Sequence, residues 1–285
     1  MAGRGTLACV GTGMMLGAHL SPRARSTIAA ADVVFVAVSD PLVELWLQGM
    51  HADARSLQPY YTEGRSRHET YRRMVEALLA EVRAGRTVCA AFYGHPGVFA
   101  GVAHAAIAQA RAEGHTASME PGISAEDCLY ADLGIDPGAL GCQHYEASQF
   151  MFYRRRSDPS AYLVLWQVGV AGDRSAARSA TGPGHRRLLL GRLLEDYPPG
   201  HCITLYEAAT LPITAARMEE MPLSDLVDAD LRPQTTLVIP PAVALQPDLE
   251  MLDRIARLDR AEQERAATAT PSQGTPHVDE HHPIP

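Results

Sequence analysis

The chain has 285 residues, 46% of them hydrophobic and 20% charged, which is long enough for two buried cores and ordinary for a globular protein. A net charge of -8 offers no broad attraction to nucleic acid or to anionic membrane. All 25 basic side chains other than histidine are arginine, so Schiff-base and other lysine chemistry is excluded.

In chain order, residues 6–10 and 33–38 are continuous apolar runs of the kind seen in buried parallel strands. Between them lies Gly11-Thr12-Gly13-Met14-Met15-Leu16-Gly17. It does not complete a dinucleotide fingerprint, because Leu16 stands where a glycine is needed. The next helix starts late, capped by Ser21 with Pro22 in its first turn. Residues 41–49 predict a short helix and residues 64–84 a long one. A strand over residues 87–92 then breaks at Gly94 and Pro96 in Phe92-Tyr93-Gly94-His95-Pro96-Gly97-Val98-Phe99, before helical spacing over residues 98–112. A second strand, turn and helix follow: residues 117–119, Pro121-Gly122-Ile123, and a helix from Ser124.

Two glycine loops at the ends of strands suggest one shared ligand crevice, although either alone is equally a simple turn. This βα-alternating half ends near Leu140. Further strands at residues 162–168, 202–206 and 235–239 suggest a second α/β domain, mixed or partly antiparallel. The expected division is residues 1–142, residues 143–244, an amphipathic helix within residues 245–268 carrying Leu249, Leu252, Ile255 and Leu258, and a disordered tail at 269–285. His277, His281 and His282 in the tail lack a cysteine to complete a metal set, and no metal is expected. Cys9, Cys89, Cys128, Cys142 and Cys202 form no Cys-x-x-Cys pair and read as buried free thiols, and no signal peptide or membrane span is evident, so a cytoplasmic protein is expected.

Chemistry is most concentrated in residues 59–74. Arg67 and Tyr71 are one helical turn apart and share a face, and Tyr61 precedes the glycine that lets the chain fold back. A guanidinium beside phenols can stabilise an oxyanion, and a phenol acidified by arginine can accept a proton. An arginine-rich helix edged with tyrosines in solvent has the same spacing.

Taken together, several segments resemble the tetrapyrrole methylase superfamily of S-adenosylmethionine-dependent methyltransferases, and its borosin-type peptide α-N-methyltransferase branch in particular. They are Gly11-Thr12-Gly13 with His19, Val38-Ser39-Asp40-Pro41, Tyr61 with Arg67 and Tyr71, Tyr93 to Phe99, Pro121 to Asp127, Leu165-Trp166-Gln167-Val168-Gly169, and Thr235 to Pro241. Porphyrin and corrin methylases usually carry Gly-Asp-Pro in the first glycine turn, where this chain has Gly94-His95-Pro96.

The resemblance implies a two-domain α/β fold, usually homodimeric, with the cofactor in the cleft between domains. It implies cofactor contacts at Tyr93, His95, Val98, Ser124, Ala125, Gln167, Tyr206, Ala208, Thr235 and Thr236. Tyr61, Arg67 and Tyr71 are the expected catalytic set, with Arg67 and Tyr61 holding the amide oxygen and Tyr71 accepting the proton. Fused members of the branch carry their core peptide on the same chain. Residues 268–285 contain no such apolar run, so the expectation is a separate precursor peptide. Methylation of a tetrapyrrole carbon and a non-catalytic cofactor-binding protein are the alternatives.

Overall fold

The computed structural model describes residues 5–38, 40–62 and 64–269. The tail at 270–285, with its three histidines, lies outside the described residues. Residues up to Val243 form one compact unit and the described residues from Ala244 another.

The first sheet is wholly parallel, in the order β3-β2-β4-β1-β5. Its strands are β1 (Thr6–Gly11), β2 (Val33–Ala37), β3 (Ala54–Ser56), β4 (Thr87–Phe92) and β5 (Thr116–Glu120). Each pair in sequence is joined by a crossover helix: α1 (Pro22–Ala30), α2 (Pro41–Gln48), α3 (Arg67–Arg83) and α4 (Gly101–Ala112). Cores form on both faces, α3 and α4 against one and α1 and α2 against the other, which is why β1, β2 and β4 read as unbroken apolar runs. Leu7, Leu78 and Leu79 are fully buried, each contributing on the order of 2 kcal/mol of hydrophobic stabilisation.

Ser21 caps α1, its hydroxyl accepting from the Ala24 N–H, with Pro22 in the first turn. Ser66 caps α3, which therefore starts three residues after Gly64. The helix expected from residue 98 starts at Gly101, because Phe99 adopts a left-handed φ of 49° that no helix accommodates.

After α5 (Ala125–Leu133) and the single turn α6 (Pro137–Leu140), the chain enters a mixed sheet in the order β6-β7-β10-β8-β9. Its strands are β6 (Cys142–Glu146), β7 (Tyr162–Trp166), β8 (Cys202–Glu207), β9 (Arg217–Pro222) and β10 (Thr236–Ile239). Only the β6–β7 pair is parallel. One face is covered by α7 (Ala147–Phe152) and α8 (Pro183–Leu193). The other receives α5, whose Leu129 packs with Val164, Trp166, Tyr206 and Val238. Thus a helix that follows the last strand of the first sheet lies on the second sheet.

The five cysteines are all free thiols, but only Cys9 and Cys89 are buried; Cys128 and Cys142 are half-buried and Cys202 is exposed at the start of β8. That corrects the expectation of five buried thiols. In the second unit α9 (Leu249–Ala269) carries Leu249, Leu252, Ile255 and Leu258 on an exposed apolar stripe, with Asp253 and Arg257 paired one turn apart. No described helix is long and apolar enough to cross a membrane.

Candidate functional site

The strand order reverses direction between β1 and β4: the chain leaves β1 toward β2 on one side and β4 toward β5 on the other. In open α/β sheets that point opens a crevice at the carboxyl edge. Here the loop after β1 and the loop after β4 meet in it, with Gly13 N–H donating to the Gly94 carbonyl at 3.2 Å and Gly94 N–H returning to Gly13 at 2.9 Å. The loop after β5 closes on both. A Cβ at Gly122 would lie 2.3 Å from the Gly94 oxygen, and one at Gly11 would lie 2.6 Å from Gly122 Cα. Only glycine lets three backbones approach this closely.

On this edge stand the catalytic candidates. Tyr61 follows a 3₁₀ turn at Gln58–Tyr60, Arg67 opens α3, Tyr71 is one turn further, and Tyr93 follows β4. The Tyr61 phenol neighbours those of Tyr71 and Tyr93 and the Arg67 guanidinium. Desolvation, followed by the adjacent phenols of Tyr71 and Tyr93, raises Tyr61 well above an ordinary tyrosine, while Arg67 opposes the shift. Tyr93 is raised for the same reasons. Both rings nevertheless keep about half their surface open, 48% for Tyr61 and 51% for Tyr93. The fold thus brings Tyr61, Tyr71 and Tyr93 together near Arg67, with Tyr61 held neutral.

Arg67 is anchored by a segment that sequence reasoning missed. Its backbone N–H donates to the Ala176 carbonyl at 2.8 Å, and its guanidinium to the Arg178 carbonyl at 3.3 Å. The loop presenting those carbonyls is wound around Asp173, whose carboxylate accepts from the N–H groups of Ser175, Ala177 and Arg178 and from the Ser175 hydroxyl. Burial alone would raise Asp173, but these donors outweigh it and hold it below the usual carboxylate range. The sequence signal was the Asp173-x-Ser175 spacing, an Asx turn.

The remaining site candidates gather in two groups. His95 and Val98 lie in the first glycine loop, where His95 Nδ1 accepts from the Gly97 N–H and the His95 carbonyl from Val98 N–H. Ser124 and Ala125 open α5. Ser124 is already committed, because its hydroxyl and N–H both donate to Asp127 in a capping box, and its oxygen accepts from Asp127 N–H.

Gln167, Tyr206, Ala208, Thr235 and Thr236 meet on one edge of the second sheet, since β7 and β8 end where the antiparallel β10 begins. Gln167 takes a left-handed φ of 58°. Tyr206 is buried and donates to Asp132 on α5 at 2.8 Å, Ala208 packs against the same cluster, and the Thr235 hydroxyl donates to Glu207 at 2.7 Å. Glu207 also binds Arg217 and Arg232, which with Thr235 overcome its burial and keep it ionised. The side-chain hydroxyls of Ser124, Tyr206 and Thr235 are thus all engaged within the protein. Thr236 is buried opposite Tyr206.

The two edges touch directly. Phe99 lies 5.4 Å from Trp166, centroid to centroid, and Leu16 N–H donates to the Thr210 carbonyl at 2.9 Å.

Comparison with known proteins fits this architecture: residues 6–227 match the tetrapyrrole (corrin/porphyrin) methylases. The chain belongs to this family. The curated methyltransferase/ribosomally synthesized cyclic peptide gymnopeptides precursor of Gymnopus fusipes is 38% identical over 258 residues, covering 89% of this chain and 61% of that protein. A methyltransferase/type I borosin cyclic peptide precursor of Coprinopsis marcescibilis is 42% identical over 224 residues, 78% of this chain and 57% of that one. The omphalotin A precursor methyltransferase of Omphalotus olearius is 37% identical, covering 89% and 62%. The chain spans about three fifths of the length of these relatives. Among solved structures, uroporphyrin-III C-methyltransferase from Thermus thermophilus shares the tetrapyrrole methylase fold at a TM-score of 0.58 and 22% identity, covering 84% of this chain and 95% of that one.

Proposed function

We propose that this chain is an S-adenosylmethionine-dependent methyltransferase acting on backbone amide nitrogens of a peptide supplied as a separate precursor, with S-adenosylhomocysteine as the other product. The observation that carries the reading is the cluster of Tyr61, Tyr71 and Tyr93 around Arg67 beside the glycine loops. The similarity to methyltransferase–precursor proteins supports the peptide class.

The residues present fit the cofactor. Half-exposed rings of Tyr93 and Phe99, with exposed Ile123, line the carboxyl edge and offer apolar cover, and aromatic faces suit a sulfonium cation. The start of α5 is closed by the Ser124–Asp127 capping box, and a carboxylate is favoured at such a helix N-terminus. The cofactor supplies a methyl group already activated by a positive sulfur.

The difficulty lies in the acceptor, because an amide lone pair is delocalised into its carbonyl. Arg67 and the neutral Tyr61 hydroxyl donate to the amide oxygen as it gains negative charge toward the imidate form. Tyr71 acts as the base in its phenolate form: it takes the N–H proton and becomes a neutral phenol as the nitrogen takes the methyl group, beside a Tyr61 that stays protonated. What remains is positioning in line, which the two sheet edges provide. We place the domain boundary at residues 142–143 and take the working unit to be a homodimer.

Incubating the purified chain with tritiated cofactor and either an apolar peptide or a reduced uroporphyrinogen tests the reading. Label on the peptide supports it; label on the tetrapyrrole alone overturns it.

A further inference from the structure

One chain of contacts outside the catalytic cluster ties together both glycine loops. Phe99, at φ 49°, packs on Trp166, and Trp166 stacks on His144 with centroids 5.9 Å apart and planes 20° from parallel. The Trp166 indole N–H donates to His144 Nδ1 at 3.1 Å. Indole is a donor only, so Nδ1 is unprotonated and the proton of the neutral ring sits on Nε2. Nε2 then donates to the Tyr130 oxygen at 2.7 Å, and the Tyr130 hydroxyl donates to Glu126 at 3.0 Å. Every hydrogen bond in the series has one donor and one acceptor. Burial keeps His144 below its ordinary pKa, against the pull of Glu126, which maintains this arrangement.

The chain starts at the loop after β4 and ends on the first turn of α5, one residue beyond Ala125. Its middle member, Trp166, is 6% exposed and immediately precedes Gln167, the second residue held at positive φ. Left-handed backbone at bulky residues is unfavourable and persists only where surroundings enforce it. The ring stack supplies that enforcement for Phe99, and the anchored indole supplies it for Gln167.

We infer that His144 is a positioning residue for the cofactor. By accepting from Trp166 and donating to Tyr130 it fixes the separation of the two glycine loops and the left-handed turns at Phe99 and Gln167. The inference rests on the cofactor reading above and adds a residue that touches neither cofactor nor substrate.

Asparagine and leucine have nearly the same shape, but only asparagine can accept from Trp166 in place of Nδ1. S-adenosylhomocysteine affinity is measured by calorimetry for the parent, His144→Asn and His144→Leu, alongside Trp166 emission in a Trp46→Phe background, which leaves Trp166 as the only indole. The expected result is binding by His144→Asn within about threefold of the parent, and binding at least about tenfold weaker by His144→Leu, or about 1.4 kcal/mol. The leucine variant also shifts the Trp166 emission maximum. Should His144→Leu fail to fold, Trp166→Phe, which keeps the ring stack and loses the N–H, is expected to show the same loss. Equal affinity across the variants, or equal loss in the asparagine and leucine variants, overturns the inference. Failure of the parent itself to bind overturns the cofactor reading and this inference with it.

Discussion

At Arg67 the proposed chemistry and the scaffold meet in one side chain, since its N–H and guanidinium are both held by the 176–178 carbonyls while its charge acts on the phenols of Tyr61 and Tyr93. On the proposed role, replacing it with alanine removes the stabilisation of developing negative charge, so methyl transfer is expected to fall about 100- to 1,000-fold, with S-adenosylhomocysteine binding changed less than about threefold in calorimetry. Loss of binding in parallel with turnover would contradict the role. For Tyr71→Phe, removal of the proposed proton acceptor is expected to cost about 100-fold or more in single-turnover rate. Unchanged single-turnover chemistry in that variant would assign the proton to another group. Arg67 and Tyr71 were legible as a pair because helical spacing alone puts them on one face. The direction of the Tyr61 shift was not legible, because it depends on Tyr93, which is distant in sequence and reaches the cluster only through the sheet.

Among the elements, those with a continuous apolar run or a capping residue were readable: β1, β2, β4, α1 and α3 lie where their residues place them. β9 was not, since Arg217-Met218-Glu219-Glu220-Met221-Pro222 is an edge strand with little burial and no alternation to reveal it. β6 was missed for a similar reason, as Gln143, His144 and Tyr145 are half-buried at the opposite edge of the sheet. The Asp173 loop owes its shape to one carboxylate, so Asp173→Ala is expected to leave the fold intact, speed amide hydrogen exchange across residues 173–178, and lower turnover about tenfold through a loosened Arg67. Normal turnover with a disordered loop would show that Arg67 needs no such support. The glycine junction has less tolerance. Gly122→Ala sets a methyl group 2.3 Å from a backbone oxygen, and a loss of more than about 3 kcal/mol in denaturant unfolding is expected, or no soluble protein.

For the whole molecule, the two sheets are locked by α5 crossing from one to the other and by Phe99 meeting Trp166, so residues 5–243 act as one compact unit with the candidate site along its internal seam. Buried thiols set the alkaline limit of that unit. Burial pushes Cys9 and Cys89 up to about 12, from an ordinary value near 9. A raised folded-state pKa means the unfolded chain releases these protons first, so stability is full below pH ~8.5 and falls between pH ~9 and ~12. Urea unfolding across that range is expected to show the decline, and Cys89→Ala to lessen it; a flat profile would contradict the burial of these groups.

The most direct test of the central claim is coexpression of the chain with the short reading frame beside its gene, followed by mass spectrometry and fragmentation of the peptide. The account predicts additions of about 14 Da each, located on backbone nitrogens and absent with Arg67→Ala. A peptide recovered unmodified from cells holding cofactor-bound protein would contradict it.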